Sequence, residues 1–375
     1  MNAQQIVSEL IRFDSVSSKT NVPVSDHVEQ SLKHLGFEIE RLEYDDANGV
    51  RKASIVAKLG RGTGGMAYFG HTDVVPASPW STDEHGPFEP TVKEGRLYGR
   101  GSCDMKGSIA CMLAAVERIR ATDLRQPVYV TCTADEEIGY GGARDVAKRS
   151  VLFREMVSGN AKGIIGEPTH LDVVHAHKGT FGMVATSIGK ASHSSTREGL
   201  NANLAMIPFL SEMKAIHDEV ESDLAWQHPE FDPPTISWNI GINDYTYACN
   251  ITAPQSICTV YFRPMPGQNP EALVSRAQAA AERCGLKVEV RNRALPLYVD
   301  PKCDFIQELV RLADRPRAAT VAYGTDGAML TDLKHLAVLG PGHIAQAHTW
   351  DEWIELEQLE RGTALYEKLI RNWCC

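Results

Sequence analysis

Residues 127–142 read PVYVTCTADEEIGYGG. The apolar run PVYVTCTA predicts a strand buried on both faces, and two adjacent glutamates, Glu136 and Glu137, follow at its end. Adjacent like charges repel. If both are ionised in one cleft, something positive holds them there, or one of them has a raised pKa. The rest of the chain repeats the theme of apolar strands ending in polar side chains. MAYFGH and AKGIIGE also run apolar, FEIERLEY and ASIVAKL read as further strands, and AQQIVSELIRF, VSDHVEQSLKHLG, KGSIACMLAAVERIRA and GARDVAKRS read as helices. Alternating helices and apolar strands predict an α/β domain with a mostly parallel central sheet flanked by helices.

After about Gly179 the texture changes. TFGMVATSIG, TISWNIGIN and QSICTVYFRP alternate, as half-exposed antiparallel strands do, and KVEVRNR closes the series. GLNANLAMIPFLSEMKAIHDEV and NPEALVSRAQAAAERCG read as helices between them. This β-α-β-β-α-β order predicts a two-layer α+β domain inserted into the first. The expected boundaries are 1–178 and 294–375 for the first domain, and 179–293 for the insertion.

Composition narrows the function classes. At 43% hydrophobic residues over 375 positions the chain can bury a sizeable core. A net charge of −10 argues against nucleic acid and gives no support for attraction to a membrane surface. The N-terminal stretch lacks a signal-peptide pattern and no apolar run is long enough for a membrane span, so a cytoplasmic location is expected. Nine scattered cysteines form no CxxC pair and read as buried or incidental thiols. GRGTGG at 60–65 matches a dinucleotide-loop pattern, but a strand follows it where a helix is needed. Neither GxxxxGK[ST] nor GxSxG occurs.

Candidate chemistry gathers after the strands. His71 and Asp73 follow MAYFG, Asp104 stands in YGRGSCDMKG before a helix, Glu136 and Glu137 follow PVYVTCTA, and Glu167 follows AKGIIG. In open α/β sheets ligands bind beyond the carboxyl ends of the strands, so one sheet edge can collect all of these. AQAHTWDEWIE adds His348 late in the chain. His, Asp and Glu together suit borderline-to-hard divalent ions, and a single carboxylate can bridge two of them. One glutamate of the pair can then bind metal while its neighbour acts as a base on water. These residues alone do not say which glutamate does which. A lone Asp after a strand is more often a cap, and WDEW reads as an ordinary packing or turn segment.

FGHTDVVP, GRGSCDMKG, TADEEIG, IIGEPT and HTWDEWI resemble, in order and spacing, the metal-ligand blocks of the M20 metallopeptidase and amidohydrolase family. The family includes acetylornithine deacetylases, succinyl-diaminopimelate desuccinylases, aminoacylases and some di- and carboxypeptidases. The resemblance implies a catalytic domain with an inserted lid that carries a homodimer contact. It implies two divalent ions, zinc with cobalt as an alternative. His71, Asp104 and Glu167 would hold one ion, and Asp104, Glu137 and His348 the other. Glu136 would be the general base, and Asp73 would hydrogen-bond the His71 ring. In the lid, ASHSSTREGLNA implies that His193 stabilises the oxyanion, in its own site or across a dimer. Arg263 and Asn250 match positions that hold a substrate carboxylate, and YGTDGA, with Gly324 and Thr325, matches a substrate loop. The expected activity is hydrolysis of the amide of an N-acyl amino acid. N-acetylornithine is favoured on the stretches HAHKG, ASHSSTREGLNA and GPGHIAQAH, with a succinyl-diaminopimelate, an acetylcitrulline or a small peptide as rivals. A scaffold that keeps the fold without catalysis is the rival from another class, and the intact Glu136 argues against it.

Overall fold

A computed structural model describes residues 1–375. The chain forms two compact units. The first comprises Met1–Ala176, Tyr298–Ala319 and Thr325–Cys375, and the second His177–Leu297 with Thr320–Gly324.

In the first unit the sheet runs, in spatial order, Glu38–Asp45, Arg51–Leu59, Val128–Thr133, Met66–His71, Lys162–Ile165, His335–Val338 and Val174–His177. The four middle strands are parallel. Val128–Thr133 and Met66–His71 are buried at every position, as strands covered on both faces must be. The first two strands are antiparallel to each other, and the second is antiparallel to Val128–Thr133. The reason is the connection. Asp46–Val50 closes as a tight turn, with the Gly49 N–H donating to Asp46 O at 2.9 Å, and is too short for the crossover that a parallel pair needs. The strands Val174–His177 and His335–Val338, and a small sheet of Thr91–Lys93, Arg96–Tyr98 and Trp353–Glu355, were not marked by periodicity in the sequence. Each is four residues or fewer, below the length at which alternation is legible.

Helix Lys106–Glu117 is buried from Lys106 to Val116 and shares one core with the helices Ala3–Ile11 and Leu356–Cys374. A hydroxyl relay ties this layer to the sheet. Tyr68 donates to Ser108 Oγ at 2.8 Å, Ser108 is paired with Tyr366 Oη at 2.8 Å, and Tyr366 donates to Leu339 O at 2.9 Å. Gly166 lies against this relay. A Cβ there would stand 2.1 Å from Ser108 Oγ and 2.4 Å from the Tyr68 hydroxyl, so only glycine lets the chain pass on to Glu167.

The second unit is a four-stranded antiparallel sheet in the order Asn239–Asn243, Gln255–Phe262, Thr180–Ile188, Lys287–Ala294. Helices Ala202–Ser222 and Pro270–Arg283 form its second layer. TISWNIGIN is a strand only from Asn239 onward, because Ser237 takes a left-handed φ of 54° that breaks the extended run. The stretch Thr320–Gly324 also belongs here. Lys178 N–H donates to Val321 O at 3.3 Å, and the Thr320 hydroxyl donates to Glu230 O at 2.5 Å. No helix is long and apolar enough to cross a membrane.

Candidate active site

The carboxyl ends of the central strands and the loops after them bring His71, Asp104, Glu136, Glu137, Glu167 and His348 together in the first unit. Asp104 sits at the centre. Its Oδ1 lies 3.1 Å from His71 Nε2, and its Oδ2 lies 3.3 Å from His348 Nε2. Glu167 Oε1 is 3.6 Å from the same His71 nitrogen, and Glu137 Oε2 is 3.0 Å from the same His348 nitrogen. Each Asp104 oxygen therefore faces one imidazole, and each of those imidazole nitrogens has a glutamate beside it. Ligand atoms of His71, Asp104 and Glu137 lie within 4.8 Å of one another, as do those of His71, Glu136 and Glu167. By proximity alone, either glutamate of the pair could be a ligand.

Local chemistry sets these positions. Asp135, just before the pair, has a left-handed φ of 55°, a conformation that costs a non-glycine residue about 1–3 kcal/mol. Its carboxylate is held by the buried Lys52 ammonium at 2.7 Å and by the Tyr44 hydroxyl at 2.8 Å. The ammonium also donates to Ser17 O and Lys19 O, at 2.6 and 2.8 Å, so the turn is anchored from three sides. The turn's return path needs Gly142, where a Cβ would meet Ala134 N and O at 2.5 Å.

Asp73 acts differently from the expectation. The His71 Nδ1 contact at 2.8 Å is to the Asp73 backbone carbonyl, and the carboxylate Oδ1 stands 3.7 Å away. The carboxylate instead accepts the peptide N–H groups of Glu136 and Glu137, at 3.1 and 3.3 Å, and the Ser17 hydroxyl at 2.7 Å. The imidazole tautomer is still fixed: Nδ1–H donates to the carbonyl and Nε2 faces the cluster. The strand end also places a main-chain carbonyl at this spot, which sequence cannot distinguish from a side-chain contact.

The electrostatics call for a cation. Burial raises the Glu136 carboxyl well above the ordinary range, and the Glu167 charge adds to it. Burial likewise raises Glu167, with Asp104 adding repulsion, and raises Glu137 despite the His348 contact. Burial works to lower the His71 imidazolium, but the Asp104 contact and the Glu167 and Glu136 charges overcome it. The contacts with Asp104 and Glu137 hold His348 at about 10. Glu137 Oε1 is buried without a hydrogen-bond partner. Buried acidic oxygens, one of them unpaired, together with the buried His71 imidazole and the exposed His348 imidazole, make a donor set that fits divalent ions with N and O preferences.

Two buried carboxylates here were not assigned a site role from the sequence. Asp326 accepts the Thr133 hydroxyl at 2.5 Å, and burial pushes it up to about 6. It holds the end of the strand that carries the glutamate pair. Glu352, in the segment read as ordinary packing, accepts four donors around Asp104. No local pattern marks either one, since their partners lie 193 and up to 252 positions away in sequence.

The remaining candidates belong to the second unit, apart from Thr325. His193 is exposed and pairs in a short bridge with Ile251, and Ser194 N–H donates to Asn250 O at 2.9 Å, so His193 and Asn250 share one corner. Ser195 N–H donates to His193 Nδ1 at 3.2 Å, which leaves the neutral ring's proton on Nε2. The Arg263 guanidinium lies over the Tyr261 ring at 5.4 Å and reaches the Thr180 hydroxyl at 3.4 Å. Gly324 ends the second unit's short segment, and the buried Thr325 caps the turn Asp326–Ala328 by accepting the Gly327 N–H at 3.0 Å.

Residues 67–372 match the Peptidase family M20/M25/M40. The chain belongs to this family. It is 33% identical over 373 residues to the acetylornithine deacetylase of Proteus mirabilis (strain HI4320), covering 96% of this chain and 92% of that one. It is 33% identical over 383 residues to the acetylornithine deacetylase of Myxococcus xanthus, covering 98% and 96%. Among solved structures, the M20 family metallo-carboxypeptidase Sso-CP2 from Sulfolobus solfataricus superposes with a TM-score of 0.80 at 16% identity, over 100% of this chain and 99% of that one. Human carnosine dipeptidase 1 gives 0.75 at 19% identity, over 98% and 95%. At these identities the structural likeness concerns the fold. The M20 assignment and the donor set make the chain a metal-dependent hydrolase.

Proposed function

We propose that this M20 chain uses two divalent ions to hydrolyse the acyl amide of an N-acyl amino acid, with N-acetylornithine as substrate and ornithine and acetate as products. The observation that carries the two-ion reading is the arrangement about Asp104: its Oδ1 faces His71 Nε2, which Glu167 also approaches, and its Oδ2 faces His348 Nε2, which Glu137 also approaches. His71, Asp104 and Glu167 would hold one ion; Asp104, Glu137 and His348 the other. Zinc fits this set, and cobalt is the alternative. Bound there, the ions supply Lewis acidity toward the amide carbonyl and toward water.

The chain's own residues do the rest. Glu136 takes the proton of the attacking water on a carboxylate oxygen and delivers it to the leaving amine nitrogen as the C–N bond breaks. Asp73 holds the peptide N–H groups of both glutamates, so the base and its neighbouring ligand keep a fixed register. His193, with its proton on Nε2, is the donor for the developing oxyanion, and Arg263 with Asn250 takes the substrate α-carboxylate. The substrate assignment draws on the relatives named acetylornithine deacetylase. A homodimer through the second unit belongs to the same reading. Strand Asn239–Asn243 is a sheet edge whose Ile242 is exposed at 64%, and Leu204 and Ile207 of helix Ala202–Ser222 are exposed at 67% and 56%. The setting of this reading is the cytoplasm.

The test is kcat/KM for N-acetylornithine and N-succinyl-diaminopimelate under identical zinc loading. We expect the acetyl substrate to win. A preference of about tenfold for the succinyl compound, about 1.4 kcal/mol of transition-state binding, would overturn the substrate assignment and leave the two-ion chemistry standing.

A further inference from the structure

We infer that Glu352 is the positioning residue that fixes Asp104 and His348 relative to one another, with Arg100 as its fixed counter-charge. The inference rests on the two-ion reading. Glu352 is fully buried, at 0% exposure. One of its oxygens, Oε1, accepts the peptide N–H groups of Cys103 and Asp104 at 2.8 and 2.9 Å. The other, Oε2, accepts the Gly101 N–H at 3.0 Å and Arg100 Nη1 at 2.7 Å. Its backbone carbonyl accepts the Gly99 N–H at 2.9 Å. The loop that presents Asp104 is thus wound around a single carboxylate, and one of the donors is the peptide N–H of Asp104 itself.

The same carboxylate belongs to the turn that carries His348, four residues upstream. That turn is fastened at other points. Arg100, 1% exposed, donates from Nη2 to Pro76 O at 3.1 Å, and its guanidinium lies over the rings of Trp80 and Trp350, at 5.6 and 6.0 Å. Ser81 N–H donates to Trp350 O at 2.8 Å. His348 itself holds a left-handed φ of 64°, which persists only where its surroundings enforce it. Asp104 and His348 come from segments more than two hundred residues apart, and their side chains meet at 3.3 Å. Glu352 is the side chain bonded to the loop of one and built into the turn of the other. Partners that orient metal ligands commonly carry about 10–100-fold of the metal affinity.

The substitution Glu352→Gln keeps the size and turns one acceptor oxygen into a donor that faces N–H groups. Zinc affinity of the metal-free wild-type and variant chains would be read by competition with a chromophoric chelator, with the melting temperature of both metal-free proteins alongside. The expected result is zinc affinity weakened by about 10–100-fold, with activity regained as free zinc is raised. Unchanged zinc affinity beside a lowered melting temperature would mean that Glu352 only supports the fold, and would overturn the inference. Should Glu352→Gln yield no folded protein, Arg100→Gln decides. It removes the counter-charge and leaves the peptide donors, and is expected to weaken zinc by about tenfold. Unchanged affinity there overturns the inference equally. A wild-type chain that binds no zinc and is indifferent to chelators would sink the two-ion reading itself, and this inference with it.

Discussion

Replacing Glu136 by Gln separates the two roles that the adjacent glutamates can take. The two side chains have nearly the same shape, so packing at this buried position is kept. The amide cannot accept a proton, so the general-base contribution of about 10²–10⁴ in kcat should vanish, a barrier increase of about 3–5 kcal/mol. Metal content should stay at two ions, because Glu137, and not Glu136, stands beside the His348 nitrogen that faces Asp104. The fold should gain stability without metal. Burial and the Glu167 charge both oppose an ionised Glu136, and a neutral amide removes that repulsion, so the metal-free melting temperature should rise. Glu137→Gln should instead act on metal binding. It removes the carboxylate 3.0 Å from His348, so one ion should bind about tenfold or more weakly and kcat should recover in excess zinc. The assay is metal content by atomic emission after dialysis, kcat at saturating zinc, and calorimetry of the metal-free chains. The proximity of Glu136 to His71 and Glu167 makes the opposite assignment a real competitor. Loss of an ion from Glu136→Gln while Glu137→Gln keeps both would refute the reasoning.

Two further outcomes are expected. His193→Ala should lower kcat by about 10²–10³, and unchanged activity would leave His193 as an exposed turn residue; if it acts across a dimer, mixing Glu136→Gln and His193→Ala chains should restore activity only after subunit exchange. His177 is fully buried and burial lowers it to about 4, so the unfolded chain binds the extra proton between about pH 6.5 and 4. Its contribution to stability is therefore present above pH 6.5 and lost as pH falls through 4, by up to about 3 kcal/mol. His177→Gln should flatten the denaturation midpoint across that window, and an unchanged acid slope would remove His177 as its source.

Read alone, the sequence named the candidate donors and their scaffold. Apolar runs such as Tyr129–Thr131 and Tyr68–Phe69 specify buried strands through their own composition, and the His, Asp and Glu residues just after them follow from chain order. The change to alternating strands after Gly179 likewise exposed the second unit, because burial on one face is written into every second residue. Other properties came only with tertiary structure. The antiparallel edge pair was decided by the turn Asp46–Val50, and the small sheet of Arg96–Tyr98 and Trp353–Glu355 by pairing across the chain. That the Asp73 carboxylate holds the peptides of Glu136 and Glu137, that Asp326 grips Thr133, and that Glu352 gathers the Asp104 loop are contacts over 63 to 252 residues of sequence. A carboxylate shows the same letter in the sequence whether it binds an ion, caps a turn or holds another carboxylate's peptide. Its role is set by which donors the fold delivers to it, and those donors are mostly backbone N–H groups, which every residue but proline carries and no residue type announces.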